Sequence, residues 1–204
     1  MPPEGWLALS ELTRSGAVDG TGADAGVAAH YGNPLAEQRA LAAGDAVVDL
    51  SHRAVLSISG ADRLTWINSL TSQSVTDLKP GQSSETLLLD ATGRLEYAVR
   101  LLDDGVDLWL LLEREEAPGL LAWLSTMVFM LRVELRDRTN ELATIGAFGS
   151  PQILVASPNG VPLVWNDPWS AVTPGGWQYA AVEHHPAVQW TYSEMLIPRA
   201  TLAE

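Results

Sequence analysis

The chain has 204 residues, 25 acidic and 12 basic, for a formal charge of −13, and 47% of it is apolar. Such a composition can build one large domain or two small ones and excludes intrinsic disorder, while the acidic balance opposes a direct nucleic-acid partner. With no cysteine, no window near the roughly 18 apolar residues of a membrane span and no basic leader before the first apolar stretch, disulfides, thiolate metal sites and a directly held cluster are excluded, and a cytoplasmic, membrane-free location is expected.

Residues 1–29 read as a leader. Trp6, Leu7, Leu9 and Leu12 have helical spacing, and Ser15 to Val27 is glycine-rich, the composition of a flexible linker or mobile loop. His30-Tyr31-Gly32-Asn33-Pro34 is a turn, followed by a helical start at Leu35 to Arg39. Val47, Val48 and Leu50 form a short apolar run, and residues 54–60 alternate at period two, so residues 46–60 read as strand. Asp62 is placed to cap a helix whose apolar face is Leu64, Trp66, Ile67 and Leu70. A strand begins at Thr86 to Leu89 and turns at Asp90-Ala91-Thr92-Gly93. Strands follow at about 95–102 and 106–112, joined by Asp103-Asp104-Gly105. Glu115 to Leu124 is helical, residues 131–137 alternate as a strand, and Ala143 to Phe148 make another.

This order predicts an α+β fold of antiparallel sheets with packed helices, including a ferredoxin-like βαββαβ unit within residues 30–148. Residues 149–204 form a second segment, expected to pack with the N-terminal part of the core. Within it, Val161 to Trp165 and Trp177 to Val182 are strand candidates, and His184-His185-Pro186 reads as a loop. Of the 12 basic residues only Lys79 is a lysine. Arg132, Arg136 and Arg138, interleaved with Glu134 and Asp137, read as a solvated strand face.

Val47-Val48-Asp49-Leu50-Ser51-His52-Arg53, Gly60-Ala61-Asp62-Arg63, Leu70-Thr71-Ser72-Gln73 and Leu88 to Leu95 together resemble the tetrahydrofolate-binding T-protein superfamily, and within it the YgfZ folate-binding branch. Tyr31-Gly32 with Pro34 is consistent with this resemblance, which spans about residues 30–148. It implies a folate-binding core with tetrahydrofolate as the cofactor, and iron–sulfur proteins or their assembly factors as partners, with effects on tRNA-modifying cluster enzymes. It also implies that the chain stops short of the family's C-terminal β-barrel and its reactive cysteine signature. The aminomethyltransferase branch carries paired aspartates in the strand after the hairpin. Those positions fall here on Tyr97 and Ala98, so aminomethyl transfer is not expected, and Glu96 is offset from them along the strand.

The resemblance assigns folate binding to Asp49, Ser51, Arg53, Asn68, Asp90, Arg94 and Tyr97, with no catalytic and no metal-binding residue. Asp49 and Ser51 either position the ligand or cap the strand end. Arg53 and Arg94 suit a ligand or partner carboxylate, because a guanidinium fork matches one. Arg63 is expected to pair with acids on its own helix, His52 reads as structural, and Trp66, Trp109 and Trp123 read as core. An aminomethyltransferase, a folate enzyme of another branch and an interaction module without a ligand are the alternatives.

Overall fold

The structure, a computed structural model, describes residues 16–171, 183 and 186–203. The helical spacing at Trp6 to Leu12, the strand expected at Trp177 to Val182 and the pair His184-His185 lie outside the described residues.

Period-two alternation in the middle of the chain builds a five-stranded antiparallel sheet. Its strands are β4 (Ala54–Ser59), β5 (Ser83–Leu89), β6 (Leu95–Asp103), β7 (Asp107–Leu112) and β8 (Glu134–Asp137), ordered β5-β6-β7-β4-β8. Relative to a four-stranded βαββαβ unit, β5 adds an edge strand. Helix α2 (Arg63–Leu70) connects β4 to β5, and α3 (Ala117–Met127) connects β7 to β8. Both lie on one face of the sheet. Trp66 and Ile67 of α2 and Leu120 and Leu124 of α3 pack there on Ile58, Val99, Leu101, Leu108 and Leu110, all buried. Burying each leucine of this layer contributes about 1.5–3 kcal/mol.

The other face packs on a second antiparallel sheet of order β10-β11-β9-β3. Its strands are β3 (Val47–Asp49), β9 (Leu142–Phe148), β10 (Val164–Asn166) and β11 (Tyr192–Pro198). Val55, Leu102, Trp109, Leu111, Leu142, Leu163 and Leu196 form the core between the sheets. Residues from before β4 and from beyond position 160 therefore complete one sheet, and β11, at its centre, had not been anticipated.

The glycine-rich stretch folds back on itself as a short ribbon of β1 (Val18–Asp19) and β2 (Ala28–His30), where Gly20 N–H donates to Val27 O at 2.8 Å. Helix α1 (Pro34–Ala43) starts at Asn33, whose side chain accepts from Ala36 N–H, and ends at Gly44 with φ +79°. A proline in the first turn and a left-handed glycine after the last are the usual start and stop signals. Among the described residues no helix is long and apolar enough to cross a membrane.

Candidate functional site

Arg53 lies in the loop between β3 and β4, beside the point where the two sheets meet. Its Nη1 donates to Glu194 Oε1 at 2.9 Å, and its Nε lies 3.2 Å from Glu113 Oε1 without hydrogen-bond alignment. Glu194 is on β11, opposite Gly146 of β9, which is in turn opposite Val48 of β3. The glycine is required there, because a Cβ would come within 2.8 Å of both Tyr192 Oη and Val48 Cγ1. That space lets Tyr192, two residues before Glu194 and on the same face, donate its hydroxyl to Glu194 Oε1 at 2.8 Å. Burial and the adjacent Glu194 carboxylate raise the Tyr192 pKa above the usual phenol range, so the hydroxyl stays a donor.

The five-stranded sheet supplies Arg100, whose Nε is 3.6 Å from Glu194 Oε1 and whose guanidinium lies 5.4 Å from the centre of the Trp165 ring. In the sheet Arg100 pairs with Glu85 on one side and Leu111 on the other. Since Leu111 faces the second sheet, Arg100 does too. Glu194 is fully buried, while the side chains of Arg53 and Arg100 keep 18% and 28% exposure. The cluster therefore reaches solvent on the arginine side. An acid buried this deeply is tolerated only with paired charges and hydrogen bonds. Here both arginines and the tyrosine approach Oε1, and among the described residues Oε2 is left without a hydrogen-bond partner.

The remaining residues assigned by resemblance have local partners. Asp49 closes the end of β3 by accepting from Ser51 N–H at 2.8 Å. Ser51 is buried, and its carbonyl accepts from Arg199 Nη2 at 2.8 Å. Arg199 Nε also donates to Thr139 O and Leu142 O, so one guanidinium ties three carbonyls together beneath the loop carrying Arg53. Asp90 Oδ1 accepts from the backbone and hydroxyl of Thr92 and from Arg94 N–H, and these bonds lower its pKa and fix the β5–β6 turn. The Arg94 side chain is exposed.

Asn68 Oδ1 accepts from Val75 N–H at 3.0 Å, pinning the chain after α2. Tyr97 faces the helix layer, with its hydroxyl 2.7 Å from where a Cβ on Gly119 would sit. Arg53 thus joins the cluster directly, Asp49 and Ser51 shape its loop, and Asn68 and Tyr97 lie on the opposite face of the sheet. Glu96 is the extra residue of a bulge, between the pairs Leu88 with Tyr97 and Leu89 with Leu95. Ala98 is exposed and points the same way as Arg100.

Other side chains have structural roles. Arg63 makes a two-point pair with Asp103 at the end of β6, rather than with an acid on its own helix. Trp66 and Trp109 are buried in the core. Buried His52 meets Asp24 of the N-terminal ribbon at 3.6 Å. The described residues contain no group of three or more His, Cys, Asp or Glu able to hold a metal ion. Glu194, Tyr192, Arg100 and Trp165 were missed by sequence reasoning. The one available signal was a lone acid leading into the apolar run of Tyr192-Ser193-Glu194-Met195-Leu196-Ile197.

No curated protein matches the chain. Among solved structures it is similar to the crystal structure of glycine cleavage system aminomethyltransferase T from Bartonella henselae, at 21% identity and a TM-score of 0.55. That similarity covers 69% of this chain and 39% of that one, so the chain spans well under half of that protein's length, and the likeness speaks for the fold. The model described as the GCVT N-terminal domain matches residues 11–154, more than half of the sequence. By that match the chain belongs to the GCVT N-terminal domain family.

Proposed function

We propose that this chain binds a reduced folate between its two sheets and holds it without transferring a one-carbon unit. The observation that carries the reading is Glu194, a buried carboxylate whose Oε2 has no partner among the described residues while Arg53, Tyr192 and Arg100 converge on its other oxygen. An orphaned buried acceptor suits a ligand that presents a ring or amino N–H, as the pterin edge of tetrahydrofolate does. Arg53 and Tyr192 orient the carboxylate, and Arg100, steadied on Trp165, lines the solvent side. Folate, when bound, supplies a carrier for one-carbon units. The chain places Ala98, which can neither accept a proton nor stabilise positive charge, on the strand face shared with Arg100.

Finer parts of the proposal rest on the sequence resemblance. Asp49 to Arg53 and the Asp90 to Arg94 turn favour the YgfZ branch, with the five-stranded layer read as a ferredoxin-like unit plus one edge strand. In that branch the folate-bound protein serves iron–sulfur proteins or their assembly factors, including cluster enzymes that modify tRNA, in the cytoplasm.

Calorimetry and thermal melting with tetrahydrofolate test the binding. Ligand at about 100 times its dissociation constant should stabilise the chain by about 2.7 kcal/mol. A folded chain that gives neither heat nor stabilisation overturns the folate reading. A glycine-cleavage exchange assay tests the rest: no turnover is expected, from the chain itself or from Ala98→Asp, and turnover by the unmodified chain would contradict the non-catalytic reading.

A further inference from the structure

The five-stranded sheet ends on β8. One side of β8 pairs with β4, from Leu56 opposite Asp137 to Ser59 opposite Glu134, and among the described residues no strand lies on its other side. Arg138 N–H donates to Val55 O at 2.8 Å. Antiparallel alternation then points the peptide groups of Leu135 and Asp137 away from β4, toward the free edge. Such edges are commonly blunted by shortness, by charge and by proline. The edge Glu134-Leu135-Arg136-Asp137 is short and carries three charges, but no proline, and its charges are of both signs, so a partner with the complementary pattern can pair with it.

Those charges are self-complementary. If two copies of β8 run antiparallel about Leu135, Glu134 of each copy stands opposite Arg136 of the other. Opposite charges at facing cross-strand positions are favourable. Among the described residues of one chain Glu134 and Arg136 pair with each other, at 2.9 Å, and both are more than half exposed.

A second feature lies in the loop that leads into this strand. Just before β8, Phe129 and Met130 are 79% and 90% exposed. Met130 has φ +54°, the left-handed region that a bulky side chain occupies at a cost of about 1–2 kcal/mol. The loop holding them is fixed at its base. Arg132 bonds Asp62 through its backbone N–H, Nε and Nη2, and Val128 and Val133 pack on the core. Gly60 allows this approach, since a Cβ there would overlap Arg132 O. Two large apolar side chains are thus held out on a strained projection beside an unpaired strand.

We propose that two copies of this chain associate through antiparallel β8 strands centred on Leu135, with Phe129 and Met130 of each copy packing at the turn that follows β8 in the other. The pairing is isologous and closes as a twofold dimer. The formal charge of −13 on each copy opposes association at long range. At about 0.15 M salt the screening length is about 8 Å, so charges at the dyad dominate over distant ones.

Sedimentation equilibrium of the full chain, without folate, tests the dimer independently of the folate reading. The unmodified chain should sediment as a concentration-dependent dimer. Glu134→Arg and Arg136→Glu each set like charges opposite one another at two symmetric places and should weaken it about tenfold. The double variant restores opposite signs and should recover the dimer. Phe129→Ser with Met130→Gly should weaken it while leaving the melting temperature near that of the parent or above it. A monomer at every concentration overturns the proposal, and so does a dimer that both single charge reversals leave intact. Failure of the double variant to recover association, with its melting unchanged, overturns it as well.

Discussion

The two faces of the five-stranded sheet carry different kinds of chemistry on one backbone. Toward the helices, Ile58, Val99, Leu101, Leu108 and Leu110 pack in a largely apolar layer that contains no charged group. Toward the second sheet, Val55, Leu102, Trp109 and Leu111 begin an apolar core, but the same face carries Arg100 onto the buried Glu194. The helix face stabilises by area removed from water, which scales with size and tolerates repacking. The inter-sheet face includes a charged group whose worth depends on distance and partner. One strand separates the two roles by alternation alone: Leu101 faces one way and Arg100 the other.

That contrast can be broken by substitution. Leu120→Ala on the helix side should cost the most stability, about 3 kcal/mol by denaturant unfolding, through the cavity it leaves. It should leave the dissociation constant for tetrahydrofolate within about twofold, because its effect is confined to packing. Gly60→Ala should cost about 2 kcal/mol or more, since φ is +111° and the new Cβ would meet Arg132 O. Folate affinity should again be unchanged.

Glu194→Gln inverts the pattern. It keeps the shape and one acceptor oxygen but replaces charge-assisted hydrogen bonds by neutral ones, so stability should fall by about 1–2 kcal/mol. Tetrahydrofolate binding by calorimetry should fall about tenfold or more. Equal losses of affinity in Leu120→Ala and Glu194→Gln would erase the distinction between the two faces.

The smallest expected effect is one of pH. Hydrogen bonds from Arg132 lower the Asp62 pKa from 3.8 to about 2. A carboxyl whose folded pKa is depressed contributes stability above its unfolded pKa, and that contribution is lost as the pH falls from about 4 toward 2. Chemical shifts of Arg132 and Gly60 should follow this window. A midpoint near 3.8 would mean that the pair does not form in solution.

Much of this architecture was legible in the sequence because local periodicity encodes it. The alternation at residues 54–59, the apolar run at 107–112 after its Asp-Asp-Gly turn, and the spacing of Leu64, Ile67 and Leu70 each name an element within a few residues. The hairpin at Asp90 to Arg94 was legible from its turn chemistry. The site was harder to see. Arg53 was singled out, but its partner Glu194 is 141 positions away and sits on a strand that no strong local signal marks. Only the sheet pairing of β3, β9 and β11 brings the two together. Tyr97 and Arg100 differ by three places, and the strand period sends them to opposite faces. That outcome depends on which face the helices cover, which the sequence of β6 alone does not state.

Arg199 gives the cluster a dependence on synthesis order. Its guanidinium holds the carbonyls of Ser51, Thr139 and Leu142, which emerge from the ribosome long before it does. The helix-covered sheet can close as soon as Asp137 has been made, whereas the loop carrying Arg53 waits for Glu194 and then for Arg199 to lock it. A ribosome-stalled chain ending before β11 would therefore hold a finished hydrophobic layer and an unfastened Arg53 loop.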